Sequence, residues 1–220
     1  MTGAGGAAEK RNQMPRKPTE QEKFWAGAFG EDYSKRNAGE RILAGNTVLF
    51  SRILSRAPGT GSVLEFGANI GLNLMAIRNI LPRAALSAVE INPYAARALR
   101  KNLPSVRVYR ESLLDFKAGR RSDLVLIKGV LIHLDPAALP AAYDVLYKSS
   151  RRYICVAEYY NPVPVEVLYR GHTGKLFKRD FAGELMSRHK DLRLVDYGFA
   201  YHGDAVCPLD DITWFLMEKI

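Results

Sequence analysis

Cysteine is scarce in this chain: Cys155 and Cys207 are the two in 220 residues. A disulfide framework or an all-thiolate zinc site needs more, so both read as free thiols of a reducing compartment. Long apolar runs are lacking as well. No stretch approaches the ~18 consecutive apolar residues of a membrane span. The opening residues, MTGAGGAAEKRNQMPRKP, hold no apolar core of a secretory signal, and the expected location is the cytoplasm. The four histidines, His133, His172, His189 and His202, show no paired ligand spacing, so no metal site is expected. Acidic residues are outnumbered, 23 Asp and Glu against 32 Lys and Arg, for a net charge of +9. Such an excess raises nucleic acid as a partner. Part of it, however, is Lys10, Arg11, Arg16 and Lys17 against Glu9, and the rest is scattered in pairs such as Arg100/Lys101, Arg120/Arg121 and Arg151/Arg152. The lack of a long basic block favours a solvated or anion-attracting surface over a nucleic-acid face, and a small acidic substrate fits the charge equally well. Oligomeric state is not readable.

What is present suits one α/β unit. Hydrophobic residues make up 47% of the chain, enough for a full core at this length. Residues 1–18 read as a disordered tail and 19–58 as a helical lid or cap over a domain spanning 59–220. Thr19-Glu20-Gln21-Glu22 is a capping-box pattern that starts a short helix. Ile42, Leu43, Asn46, Leu49, Phe50, Ile53 and Leu54 recur at helical spacing and predict a helix from about Ala38 to Ser55, stopped by Pro58-Gly59. Strands at Ser62–Phe66, Leu86–Glu90, Val106–Tyr109, Asp123–Lys128 and Tyr153–Glu158 then alternate with helices at Leu72–Leu81, after Asn92-Pro93, and after Asp135-Pro136. Apolar strands alternating with helices mean a parallel sheet covered on both faces. Leu192–Phe199 and Ile212–Glu218 have only a loop between them, too short for a parallel crossover, so they pair antiparallel. The expected architecture is a Rossmann-like, mostly parallel seven-stranded sheet with a C-terminal antiparallel pair.

The densest motif is Val63-Leu64-Glu65-Phe66-Gly67-Ala68-Asn69-Ile70-Gly71, a strand, a glycine turn and a helix start. Ligands of open α/β sheets bind at the carboxyl ends of the strands, where this turn falls. Gly67 lets a ligand approach the backbone, and Gly71 permits close packing of helix on strand. Glu65-x-Gly67-x-x-x-Gly71 resembles the first motif of class I S-adenosylmethionine-dependent methyltransferases, with Asn69 where that motif has a middle glycine. Asn is the residue besides Gly that best tolerates a left-handed backbone. Glu90, followed by Ile91, ends the second strand where Rossmann-type sites place a carboxylate for a ribose diol. In the methyltransferases an acidic residue after the third strand faces the adenine amino group, which singles out Asp115, beside Leu114. Lys128 closes the fourth strand next to the expected position of the methyl donor. Each residue alone has an ordinary structural role; in register together they point to a cofactor site.

The resemblance extends further. TEQEKFWAGAFGEDYSKRN (19–37), VLEFGANIGLN (63–73), VEINP (89–93), KGVLIHL (128–134), AEYYNPVPVEVLYRGHTGKLFKRDFAGE (157–184), LVDYGF (194–199) and DDITWF (210–215) resemble the pseudaminic acid biosynthesis-associated methylase family. That likeness implies a class I methyltransferase fold, S-adenosylmethionine as donor, and a substrate in nonulosonic (sialic-acid-like) sugar metabolism.

A sugar hydroxyl acceptor has to lose its proton, so a general base helps. His133, just past the fourth strand, is the leading candidate, and Glu158, at the end of the fifth, is its rival. The polar, aromatic and glycine-rich segment from Tyr159, Tyr160 and Asn161 through Arg170, His172 and Lys175 is the candidate acceptor loop, with Arg170 and Lys175 suited to a carboxylate or phosphate. Gly174-Lys175 lacks the upstream glycine of a P-loop. Phe24, Trp25, Tyr33 and Asn37 are candidate lid residues. Two other classes fit less well. A nucleic-acid methyltransferase is favoured only by charge, and the Asp/Asn-Pro-Pro-Tyr/Phe motif is missing after the fourth strand; Asn161-Pro162 comes one strand later. A non-catalytic donor-binding protein would keep its function without His133 and Glu158.

Overall fold

The computed structural model describes residues 16–37 and 39–220; of the expected 1–18 tail, residues 1–15 lie outside the described part, as does Ala38. A seven-stranded sheet dominates. It is built from β1 (Ser62–Phe66), β2 (Ala85–Val89), β3 (Arg107–Tyr109), β4 (Ser122–Lys128), β5 (Ser150–Glu158), β8 (Leu192–Ala200) and β9 (Ile212–Lys219), in the order β3-β2-β1-β4-β5-β9-β8. The first five run parallel, and β9 lies between β5 and β8, antiparallel to both. A separate two-stranded hairpin pairs β6 (Val165–Glu166) with β7 (Phe177–Lys178).

Burial on both faces explains the apolar strand sequences. Val63, Leu124, Leu126, Tyr153, Cys155, Trp214 and Leu216 point to one side and pack with α3 (Glu40–Ser55), α4 (Leu72–Ile80) and α5 (Pro93–Asn102). The alternate residues Leu64, Phe66, Val125, Ile127, Ile154 and Val156 face α6 (Leu139–Ser149) and α7 (Phe181–Arg188). The strands of the large sheet thus contribute to two cores, as a sheet of period two must when helices cover both its faces. Cys155 is fully buried and its thiol is pushed up to about 12 by that burial, so it behaves as a small core residue.

Several boundaries differ from the sequence reading. The single N-terminal helix is two, α1 (Glu20–Ala26) and α2 (Ala28–Arg36), broken at Gly27, whose backbone is extended rather than helical. The capping box at Thr19 forms as expected: Thr19 Oγ1 accepts the Glu22 N–H and the Glu22 carboxylate accepts the Thr19 N–H. Asp135-Pro136 opens a short 3-10 turn, and α6 begins only at Leu139. Neither the β6–β7 hairpin nor α7 was anticipated. Asn92 caps α5 as expected, accepting from the Tyr94 and Ala95 N–H groups.

Candidate functional site

A cavity opens at the carboxyl ends of the parallel strands, beneath α1 and α2. Its floor is the turn after β1. Gly67 sits at φ +70°, and a Cβ there would lie 2.3 Å from Val130 Cγ2. Only glycine tolerates both the backbone sign and the approach. Asn69 takes the left-handed conformation expected of it, φ +49°. Gly71, at φ +92°, is needed for a different contact from the one foreseen. Its missing Cβ makes room for Leu99 of α5 and for Leu103, the C-cap of that helix.

Glu90 forms one wall. Its Oε2 accepts the Asn69 N–H and its Oε1 the Asn92 N–H, each at 2.7 Å, so the glycine turn and the start of α5 aim the carboxylate. Burial raises its pKa, and the backbone donors oppose that shift. Ile91 lines the cavity beside it. Glu65 lies below the turn, outside the lining. Its Oε1 accepts from Asn73 Nδ2 at 2.6 Å, while Oε2 is buried with no partner among the described residues. Burial pushes the Glu65 carboxyl up and the neighbouring Lys128 ammonium down, and the opposite charges partly restore each other. Lys128 also stays outside the lining.

The far end of the cavity is shaped by Glu111, Ser112 and Leu113 after β3. Leu114 and Asp115, the residues expected there, are displaced from it. Asp115 is 51% exposed and meets Arg16 at 3.3 Å. Arg16 also makes a two-pronged contact with Glu22, at 2.8 and 2.5 Å, and Ser112 Oγ donates to the same carboxylate. Burial would raise the Glu22 carboxyl, but the Arg16, Ser112 and Thr19 donors outweigh it and hold the pKa at about 2. The first described residues therefore strap α1 across the loop after β3. Glu22, Ser112 and Gln21, another lining residue, are site residues the sequence reading missed; the capping box pointed to Glu22 only as a local cap.

His133 lines the cavity where β4 ends. It is buried, and its pKa is depressed by that burial to about 4. Its Nδ1 lies 2.6 Å from the Lys175 carbonyl oxygen, an acceptor, so Nδ1 carries the proton. Nε2 then holds the lone pair and has no partner among the described residues. The rival Glu158 lies below, outside the lining. Its Oε1 accepts the Val130 and Leu131 N–H groups at 2.9 Å each, bracing the short 3-10 turn that carries His133. Burial raises the Glu158 pKa to about 7, and Oε2 has no partner among the described residues.

Aromatic rings roof the cavity. The Trp25 ring lies 4.5 Å from His133 and 5.2 Å from Tyr33, and both Trp25 and Tyr33 line the space. Asn92 Nδ2 fixes the break between α1 and α2 by donating to the Trp25 and Gly27 carbonyls at 2.9 and 3.2 Å. Asn37 only caps its own helix through the Tyr33 carbonyl.

The acceptor-loop candidates divide. Tyr159 is half-buried behind the cavity, Tyr160 packs on Phe215, and Asn161 bonds the nearby Val163 carbonyl. His172 and Lys175 adjoin the roof: His172 is 5.1 Å from the Phe24 ring and Lys175 Nζ is 5.2 Å from the same ring. Arg170 occupies the tip of a two-residue turn. Tyr169 and His172 exchange N–H···O bonds of 2.9 Å, and the central residues, Arg170 and Gly171, have φ of +49° and +83°. Both signs positive is the turn that favours Asn-Gly, and a bulky residue at its first position is strained. Among the described residues no group of three or more His, Cys, Asp or Glu could hold a metal ion, and no helix is long and apolar enough to cross a membrane.

No protein-family model matches the chain, and no curated protein matches it. Solved structures do. A Leishmania major S-adenosylmethionine-dependent methyltransferase superposes with a TM-score of 0.71 at 15% identity, over 90% of this chain and 81% of that one. Magnesium protoporphyrin IX methyltransferase from Synechocystis, with bound S-adenosylhomocysteine, gives 0.66 at 12% identity over 90% and 98%. An amino pentose methyltransferase from Micromonospora echinaspora, involved in calicheamicin biosynthesis, gives 0.62 at 13% over 87% and 96%. The chain has the Rossmann-like fold of class I methyltransferases.

Proposed function

We propose that this chain is an S-adenosylmethionine-dependent methyltransferase acting on the hydroxyl of a small acidic acceptor, a nonulosonic-acid or nucleotide-linked sugar. The observation that carries the reading is the meeting, in one roofed cavity, of the glycine turn, Glu90, the segment after β3 and His133. The fold likeness supports the reaction class, and the sequence blocks resembling the pseudaminic acid-associated family support the acceptor.

The residues present suit the donor. Gly67 leaves a cradle that a Cβ would fill, and Asn69 Oδ1 and Trp25 Nε1 are buried polar atoms without partners among the described residues, which a bound polar ligand satisfies. Glu90 is suited to a ribose diol, Asn69 and Gly67 to the backbone-lined middle, and Glu111, Ser112 and Leu113 to the base. S-adenosylmethionine supplies a methyl already activated by its positive sulfur. The chain has to orient the acceptor, exclude water and accept a proton. Trp25 and Tyr33 exclude water. His133, neutral at pH 7 and fixed in the Nδ1–H tautomer, offers Nε2 to the acceptor hydroxyl and would take its proton as the methyl's bond to sulfur gives way to one to that oxygen. Glu158 is a positioning residue for the turn that bears it. Arg170 and Lys175 are suited to the acceptor's anionic group and His172 to one of its hydroxyls; Arg170 and Lys175 form no ion pair among the described residues.

Calorimetric titration with S-adenosylmethionine and S-adenosylhomocysteine tests the donor, with NAD as control. Micromolar binding of the first two, weakened at least tenfold by Glu90→Ala, is expected. Folded protein that binds neither removes the methyltransferase reading. Methyl transfer from labelled donor, screened first on acidic and nucleotide-linked sugars, tests the acceptor.

A further inference from the structure

The edge strand β8 leaves its outer side open. It pairs with β9 alone, and its outer backbone has no neighbour among the described residues. Natural edges are blunted by charges, prolines or bulges, because an open row of N–H and C=O groups accepts another strand. Here the bulge and the charged residues Arg193 and Asp196 lie in the first half. The second half, Tyr197-Gly198-Phe199-Ala200, continues into Tyr201 without charge or proline. Its aromatic side chains stand out of the fold: Tyr197 is 64% exposed, Phe199 53% and Tyr201 51%. Two aromatic runs result: Tyr197, Phe215 and Tyr160, with centroids 6.2 and 5.9 Å apart, and Phe199 with Tyr201 at 6.2 Å. Exposed apolar bands of this kind mark interaction sites.

We propose that two copies of this chain associate through β8, pairing antiparallel across a two-fold axis at Gly198 and continuing the sheet from one copy into the next. Two features select a second copy as the occupant. The first is self-complementarity. A two-fold axis at Gly198 sets Tyr197 of each copy opposite Phe199 of the other, two aromatic cross-strand pairs from one symmetric register. The second is charge. β8 starts beside exposed Lys190 and Arg193 and ends beside a loop bearing exposed Asp204, Asp210 and Asp211. Antiparallel apposition brings the basic start of each strand towards the acidic loop of its partner. Within the chain Asp211 is engaged by His202, whereas Lys190, Arg193 and Asp210 form no ion pair among the described residues. The Tyr197 N–H, covered in the single chain by the Asp196 carboxylate at 2.9 Å, becomes available to the partner strand.

Sedimentation velocity of the full chain at roughly 1–100 µM tests this. A species of twice the chain mass is expected in the upper part of that range, and Tyr197→Lys should weaken association at least tenfold with the far-UV circular dichroism unchanged. Hydrogen exchange on the unaltered protein is the second measurement: amides of 197–200 should slow several-fold as concentration rises. A chain that stays monomeric throughout overturns the proposal. So does a dimer indifferent to Tyr197→Lys, or exchange at 197–200 that ignores concentration. None of these outcomes bears on donor binding.

Discussion

Gly67 and His133 carry the most specific expectations at the level of single residues. Gly67→Ala adds a methyl 2.3 Å from Val130 Cγ2 at a positive φ. It should cost about 2–4 kcal/mol of stability, measured by denaturant unfolding. The steric part, though not the backbone part, should return in the Gly67→Ala/Val130→Ala double variant. His133 has its pKa lowered from 6.5 to about 4. The working form is neutral, so methyl transfer should hold as pH falls through 6.5 and decline only near 4; a rate profile showing an acid limb at 6.5 would contradict this role. His133→Ala should lower the rate by about 10²–10⁴. Single residues were unevenly legible. Asn69 announced its backbone because few residue types tolerate a left-handed turn. Asp115 misled, because its partner Arg16 is 99 positions away and nothing local records an ion pair closed by the fold.

At the scale of elements, the strap from Arg16 through Glu22 to Ser112 ties α1 to the loop after β3. The Glu22 pKa is lowered from 4.5 to about 2. Its contribution is therefore present above pH 4.5 and is lost as pH falls towards 2. Arg16 is partly solvated, which screens the pair, so the loss is on the order of 1–2 kcal/mol. Thermal unfolding at pH 7 and pH 3 should show a smaller gap for Glu22→Gln than for the unaltered chain. Asn92→Ala removes an N-cap and both bonds to the break between α1 and α2. It should cost about 2 kcal/mol and weaken donor affinity, a combination that calorimetry and unfolding would separate. The strands and helices of the sheet were legible because each repeats a period or carries a cap. The break at Gly27 was not, because a single glycine in a helical pattern is usually tolerated. The β6–β7 hairpin is two residues per strand, too short to show a period against its loop.

For the molecule as a whole, the cavity joins the sheet's carboxyl end to α1 and α2, so donor binding should stabilise them together. At a hundred times its dissociation constant a ligand adds about 2.7 kcal/mol, which for a chain of this size raises the melting temperature by roughly 5–10 °C. Differential scanning fluorimetry with S-adenosylhomocysteine should show that rise, and Glu90→Ala should reduce it. The parallel pairing of the first five strands was legible from strand–helix alternation, but their order and the insertion of β9 between β5 and β8 were not, since the hydrophobic pattern of a strand does not name its neighbours. The Arg170 turn has a consequence at this scale. Its backbone suits Asn or Gly better than Arg, so a library screened for thermostability alone should repeatedly replace Arg170. If the acceptor's anion is held there, those hardier variants will be the ones that have lost their substrate, and heat selection will run against turnover at this position.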